Sequence, residues 1–135
     1  MIDLNYFDLT QPVHYLNSGK FTAQPGWRHA PNRHNNTEIM IGLAGTIFLR
    51  IDQQPVTLKA GQVLCLAPQT QIDGDRPCER TAQFLWFHFT SQTMPNIVSK
   101  AATTPKIIIL PRFFQLKDPT RSLLAGQQLL DRGHR

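Results

Sequence analysis

Glu38-Ile39-Met40-Ile41-Gly42-Leu43, broken by Ala44-Gly45-Thr46 and resumed as Ile47-Phe48-Leu49-Arg50-Ile51, is the stretch that decides the fold. Both runs are β-branched, apolar and short, so they read as strands joined by a tight turn. Working outward, Asp52-Gln53-Gln54-Pro55 turns the chain again, and Val56-Thr57-Leu58 is a short strand ended by Lys59-Ala60-Gly61. Val63-Leu64-Cys65-Leu66 follows, stopped by Ala67-Pro68, and Asp73-Gly74-Asp75-Arg76 reads as a hairpin loop. Ala82 to Phe89 is the longest strand, and Lys106 to Leu110 the last. Short strands separated by closely spaced turn residues indicate an all-β sandwich or barrel. Several runs are apolar on both faces, which fits a barrel filled inside and covered outside.

Beyond the last strand the character changes. Asp118-Pro119-Thr120 is a helix start, and Leu123, Leu124, Leu129 and Leu130 line one side of Thr120 to Arg132. The chain therefore divides into an N-terminal arm over 1–20, with Tyr6, Phe7 and Tyr15 as candidate lid residues, a barrel over 21–115, and the start of a helix over 116–135. Leu123 and Leu130 lie a heptad apart with Leu124 beside them, a pattern that serves either a dimer seam or packing on the chain's own barrel.

The 135 residues are one domain's worth of sequence, 41 % hydrophobic and 17 % charged, as expected for a globular protein. A net charge of +5 raises the question of nucleic acid, but the 14 basic residues are scattered, with no run and no basic helix face. Direct DNA binding by this segment is not expected. Cys65 and Cys78 are too few for a disulfide framework or a zinc site, and Cys65 lies in an apolar run as a core thiol would. The start, Met1 to Tyr6, lacks the basic and apolar regions of a signal peptide, and no apolar stretch is long enough to cross a bilayer. A cytoplasmic domain without membrane contact is the expectation.

Gly26, Asn32-Arg33-His34, Glu38 and Gly45 fall on the positions of the first cupin motif, which spaces a Gly, a His-x-His pair, a Glu and a closing Gly. Gly61 to Pro68 resembles the second motif, whose histidine would fall near Ile72. The phrase Lys59 to Pro68, followed by Phe84-Leu85-Trp86-Phe87-His88-Phe89, is similar to the sensor domains of AraC-type regulators. The resemblance covers residues 20 to 92 best. It implies a cupin-like, jelly-roll-type β-barrel with a C-terminal α-helix, a small-molecule effector in the barrel, homodimerisation, and DNA contact only through a C-terminal domain absent from this chain.

Departures from the motif separate sensor from enzyme. A cupin metal site needs converging imidazoles and a carboxylate. His34 and Glu38 are kept, whereas Asn32 and Ile72 occupy the other ligand positions, and a two-ligand remnant would hold an ion weakly. No metal, no cofactor and no catalytic residue are expected. His14, His29 and His134 read as surface or loop histidines. There is no nucleophile elbow, no phosphate loop and no activated cysteine. A metal-dependent cupin enzyme, such as a sugar isomerase or dioxygenase, is the rival reading, and a stand-alone carbohydrate-binding module a third.

A ligand would meet the inner face of two strands. Alternation places Phe84, Trp86 and His88 on one face, and an aromatic ring beside an imidazole suits a small polar molecule with an apolar face, such as a sugar. Glu38, Met40 and Gly42 share a face that cupin geometry would turn inward, with Gly42 leaving room for the ligand. Arg28 and His34 lie just upstream, at the mouth. A buried Glu38 needs a partner, expected among Arg28, Arg33 and His34.

Overall fold

The computed structural model describes residues 4–8, 13–90, 92–93 and 107–117. Twelve strands run through them: β1 (Leu4–Asp8), β2 (His14–Ala23), β3 (Asn32–Arg33), β4 (Thr37–Ala44), β5 (Thr46–Ile51), β6 (Gln54–Lys59), β7 (Gln62–Leu66), β8 (Gln71–Gly74), β9 (Ala82–Thr90), β10 (Gln92–Thr93), β11 (Ile107–Pro111) and β12 (Phe113–Gln115). The described residues contain no helix. The helix expected over Thr120 to Arg132, with Leu123, Leu124 and Leu130, lies outside them. No described helix is long and apolar enough to cross a membrane.

The strands form a five-stranded sheet β12-β7-β4-β9-β2, a four-stranded sheet β3-β8-β5-β6 and a three-stranded sheet β10-β1-β11. All pairings are antiparallel. Every second residue of β5, namely Ile47, Leu49 and Ile51, is buried, as period-two alternation requires. These join Leu58 and Ile72 of the same sheet, and Met40, Leu64, Leu66 and Phe84 of the five-stranded sheet, in one core cluster. The mainly β architecture expected from the spacing of the runs is what the described residues adopt.

Turn chemistry explains how the chain passes between the sheets. β4 ends at a register shift between Gly42 and Ala44, and Gly45 turns into β5 with φ of 67°. That left-handed conformation favours glycine, and a Cβ there would also lie 2.5 Å from the Thr81 carbonyl oxygen. Asp52 and Gln53 both have positive φ and close the β5–β6 hairpin. Asp52 accepts from the Gln71 backbone N–H at 2.8 Å and from Arg112 at 2.8 Å. Desolvation raises its pKa, but these two donors outweigh that and hold the carboxyl below its ordinary range.

Three segments differ from the sequence reading. Asp73 and Gly74 belong to β8, so the hairpin loop is confined to the bend that follows them. Residues 14–20 run in β2, whose whole length pairs with β9. Leu4 to Asp8 pair with Ile107 to Pro111.

Cys65 and Cys78 are buried thiols, and burial pushes the Cys65 thiol up to about 11. Thiolate is the reactive form, so the native protein should give no rapid reaction with a disulfide reagent near pH 8. Both thiols should appear at once in denaturant. A fast equivalent in the native state would contradict the packing of β7.

Candidate functional site

β9 is flanked by β4 and β2, and the two registers assemble the site. Glu38, Met40 and Gly42 stand opposite His88, Trp86 and Phe84, while Asn17, Gly19 and Phe21 stand opposite the same three from the other side. Because side chains alternate, all of these share the inner face. The loop between β2 and β3 then folds over it. Gly26 N–H donates to the Cys78 carbonyl and Cys78 N–H to the Trp27 carbonyl, each at 2.8 Å, which places the Trp27 ring 4.9 Å from Phe21 and 6.1 Å from Phe84.

The result is a cavity of about 250 Å³ lined by both aromatic and polar side chains. Phe21, Trp27, Phe84 and Trp86 form aromatic walls, and His34, Glu38 and His88, with Asn17, His29 and Asn32, supply the polar surface. Gly19 lets the Trp86 indole lie against β2: a Cβ there would come within 2.5 Å of the ring. A Gly19→Val variant should therefore displace Trp86 and change the near-ultraviolet circular dichroism. An unchanged spectrum would show that the indole is not seated on Gly19.

Glu38 and His88 form the buried centre, 6 % and 9 % exposed. His88 Nε2 lies 2.8 Å from Glu38 Oε2. An ionised carboxylate only accepts, so the imidazole donates. His34 Nε2 is 3.9 Å from the other oxygen, Oε1, and the two imidazole rings meet edge to face at 4.3 Å. Oε1 itself is buried and has no hydrogen-bond partner among the described residues. Asn32 Oδ1 accepts from the Arg33 backbone N–H, which turns Nδ2 toward His34 Nε2 at 3.2 Å and leaves that nitrogen as an acceptor. Desolvation, opposed by Glu38 and assisted by His88 and His29, lowers the pKa of His34. The ring is therefore neutral at neutral pH.

Of the residues expected to meet a ligand, His34, Glu38, Phe84, Trp86 and His88 converge on this cavity. Met40 does not: it is fully buried in the core beneath it. Gly42 leaves no room for a ligand, because the Lys59 backbone carbonyl occupies the space a side chain would take. Arg28 points elsewhere, donating to the Gly74 carbonyl at 2.9 Å and the Asp75 carbonyl at 3.3 Å beside a second, separate cavity. Arg33 donates to Gln71. The partner of Glu38 is thus His88, with His34 behind it, and neither arginine. Trp27, Phe21 and Asn17 escaped the sequence reading. Trp27 sits between the motif's Gly26 and Asn32, where an aromatic residue could have signalled a wall.

The donor set also bears on metal binding. His34, Glu38 and His88 bring ligand atoms within 4.8 Å of one another, so three donors converge where the motif positions alone offered two.

A family profile described as the AraC-like ligand binding domain matches residues 18–132. The chain belongs to that family. No curated protein matches this AraC-like domain in sequence. Solved cupins share its fold. An RmlC-like cupin from Shewanella frigidimarina superposes with a TM-score of 0.51 at 15 % identity, over 58 % of this chain and 69 % of the other. A predicted oxalate decarboxylase from Thermotoga maritima gives 0.52 at 18 %, over 57 % and 68 %. A cupin superfamily protein from Desulfitobacterium hafniense gives 0.51 at 14 %, over 65 % and 78 %. At these identities the likeness is one of architecture. The expected cupin-like barrel is therefore the fold of this AraC-like domain.

Proposed function

We propose that this domain is the effector-sensing part of a bacterial AraC-type transcription regulator and that its effector is a small polyhydroxylated molecule of the sugar type. The observation that carries the reading is the meeting of four aromatic walls with the Glu38 carboxylate and its imidazole neighbours in one cavity. A sugar offers C–H faces to the rings and hydroxyl donors to the carboxylate. About 250 Å³ is below the usual range for drug-sized ligands, which favours a monosaccharide. Hydrogen bonding to the Glu38 carboxylate and the asparagine amides that line the cavity would reward a ligand carrying hydroxyls and penalise one lacking them.

The regulator reading adds a homodimer through the C-terminal segment and DNA contact through a domain beyond this chain. Effector binding would act by favouring one arrangement of the barrel and its N-terminal segment over another. Enzymatic activity is not part of the proposal.

The test is a thermal-shift screen of sugars, sugar phosphates and polyols against chelator-treated protein. A hit at saturating concentration should raise the melting temperature, since a ligand at ~100 times its dissociation constant adds roughly 2.7 kcal/mol. Stabilisation by apolar or anionic compounds alone would overturn the sugar assignment.

A further inference from the structure

We propose that the outer face of the four-stranded sheet carries a second binding site, for a free α-amino acid held by Arg28 and Asp73. Arg50 lies between the buried Leu49 and Ile51 of β5, and Asp73 between the buried Ile72 and Gly74 of β8, so both side chains turn away from the core. The two stand opposite each other in the β5–β8 register. The loop between β2 and β3 closes the other side, and together they bound a cleft of about 620 Å³, well inside the usual range for small-molecule sites. This is the loop that carries Trp27 to the aromatic cavity, and His29 faces both spaces.

The charges around the cleft select a zwitterion. Asp75 neutralises Arg50, its Oδ1 accepting from Arg50 Nε at 2.7 Å. Arg28 is held by carbonyls alone: its Nε donates to Gly74 and its Nη2 to Asp75. That leaves a guanidinium whose charge no carboxylate balances, with N–H donors to spare. Asp73 accepts from Gln71 Nε2 at 3.3 Å, while the neighbouring arginine pairs with Asp75 instead. One uncompensated cation and one uncompensated carboxylate thus line the same cleft, with Arg28 anchored on the two residues that follow Asp73. An α-amino acid matches both, its carboxylate meeting Arg28 and its ammonium meeting Asp73. The anchor is preorganised: Gly74 N–H donates to the His29 carbonyl at 3.0 Å, and a Cβ on Gly74 would stand 2.5 Å from Arg28 Cγ.

This site needs no occupant in the aromatic cavity, so it stands or falls separately from the sensor reading. The test is a titration of the full chain with L-alanine, followed through backbone amide NMR shifts, with sodium chloride at matched ionic strength as the blank. Saturable shifts of the His29, Gly74 and Asp75 amides are expected. L-lactate, with a hydroxyl in place of the ammonium, should bind roughly tenfold more weakly, because it loses the charge-assisted bond to Asp73. Asp73→Asn and Arg28→Gln should each weaken alanine by roughly tenfold or more. The amide spectrum of each variant reports its folding, and if Arg28→Gln disturbs the loop, Asp73→Asn carries the test. Shifts no larger than those of the salt blank, or alanine binding indifferent to Asp73→Asn, would overturn the proposal. Tighter binding of lactate or inorganic phosphate than of alanine would overturn it as well, marking the cleft as a plain anion site.

Discussion

Replacing His88 by alanine should destabilise the domain by about 3 kcal/mol at neutral pH, because it leaves a buried carboxylate without its donor. Glu38 is 6 % exposed, its Oε2 depends on His88 Nε2 at 2.8 Å, and its Oε1 has no hydrogen bond to fall back on. His34, at 3.9 Å, is too distant to replace the lost contact without movement. Removing both partners is a different matter. A Glu38→Met, His88→Leu double variant should recover most of the loss, since apolar groups of similar size avoid the desolvation cost altogether. Urea midpoints of the two single variants and the double variant give the coupling energy directly. A His88→Ala variant within about 0.5 kcal/mol of wild type would mean that Glu38 is not buried as described.

The second large effect is expected at Gly42. A single added methyl at this position would run into the Lys59 backbone carbonyl, with the Ala60 nitrogen close behind. Backbone cannot swing aside as a long side chain does, and the Gly61 N–H already donates to the Gly42 carbonyl at 2.9 Å, holding the β6–β7 turn in place. Gly42→Ala should cost about 3 kcal/mol, the upper part of the range for overpacking a close-packed interior. Unfolding by urea measures it. A neutral Gly42→Ala would restore the idea that this position borders open space.

The barrel was legible because its core strands carry their burial in their residue types. Ile47, Leu49 and Ile51 alternate, and Gly26, Gly45 and Gly61 all have positive φ, so the motif glycines mark real turns. β2 was harder to see. As an edge strand paired only with β9, it exposes one side, and its Tyr15, Asn17, Lys20 and Thr22 form no apolar run. β3 and β8 are short, and a strand of two residues leaves no period to detect.

The site was legible by half. Alternation along β9 placed Phe84, Trp86 and His88 together, and the motif supplied His34 and Glu38. What a linear pattern could not show is which strand lies beside which. The pairing of Glu38 with His88 follows from the β4–β9 register, between residues fifty positions apart. The same register brings a third metal-capable donor to a place where counting motif positions found two. Arg28 was misplaced for a local reason: its loop carries Trp27 inward, and the next side chain along turns out to the Gly74 and Asp75 carbonyls.

The central claim, that the aromatic and carboxylate-lined cavity is the effector site, is tested most directly by calorimetric titration of the best stabilising sugar against wild type and Trp86→Ala. Trp86 lines the cavity and is only partly buried, so the variant should fold. The account predicts affinity weakened by roughly 30-fold, the equivalent of the ~2 kcal/mol contributed by a buried aromatic anchor. An unchanged affinity in a folded Trp86→Ala variant would place the effector elsewhere and contradict the account.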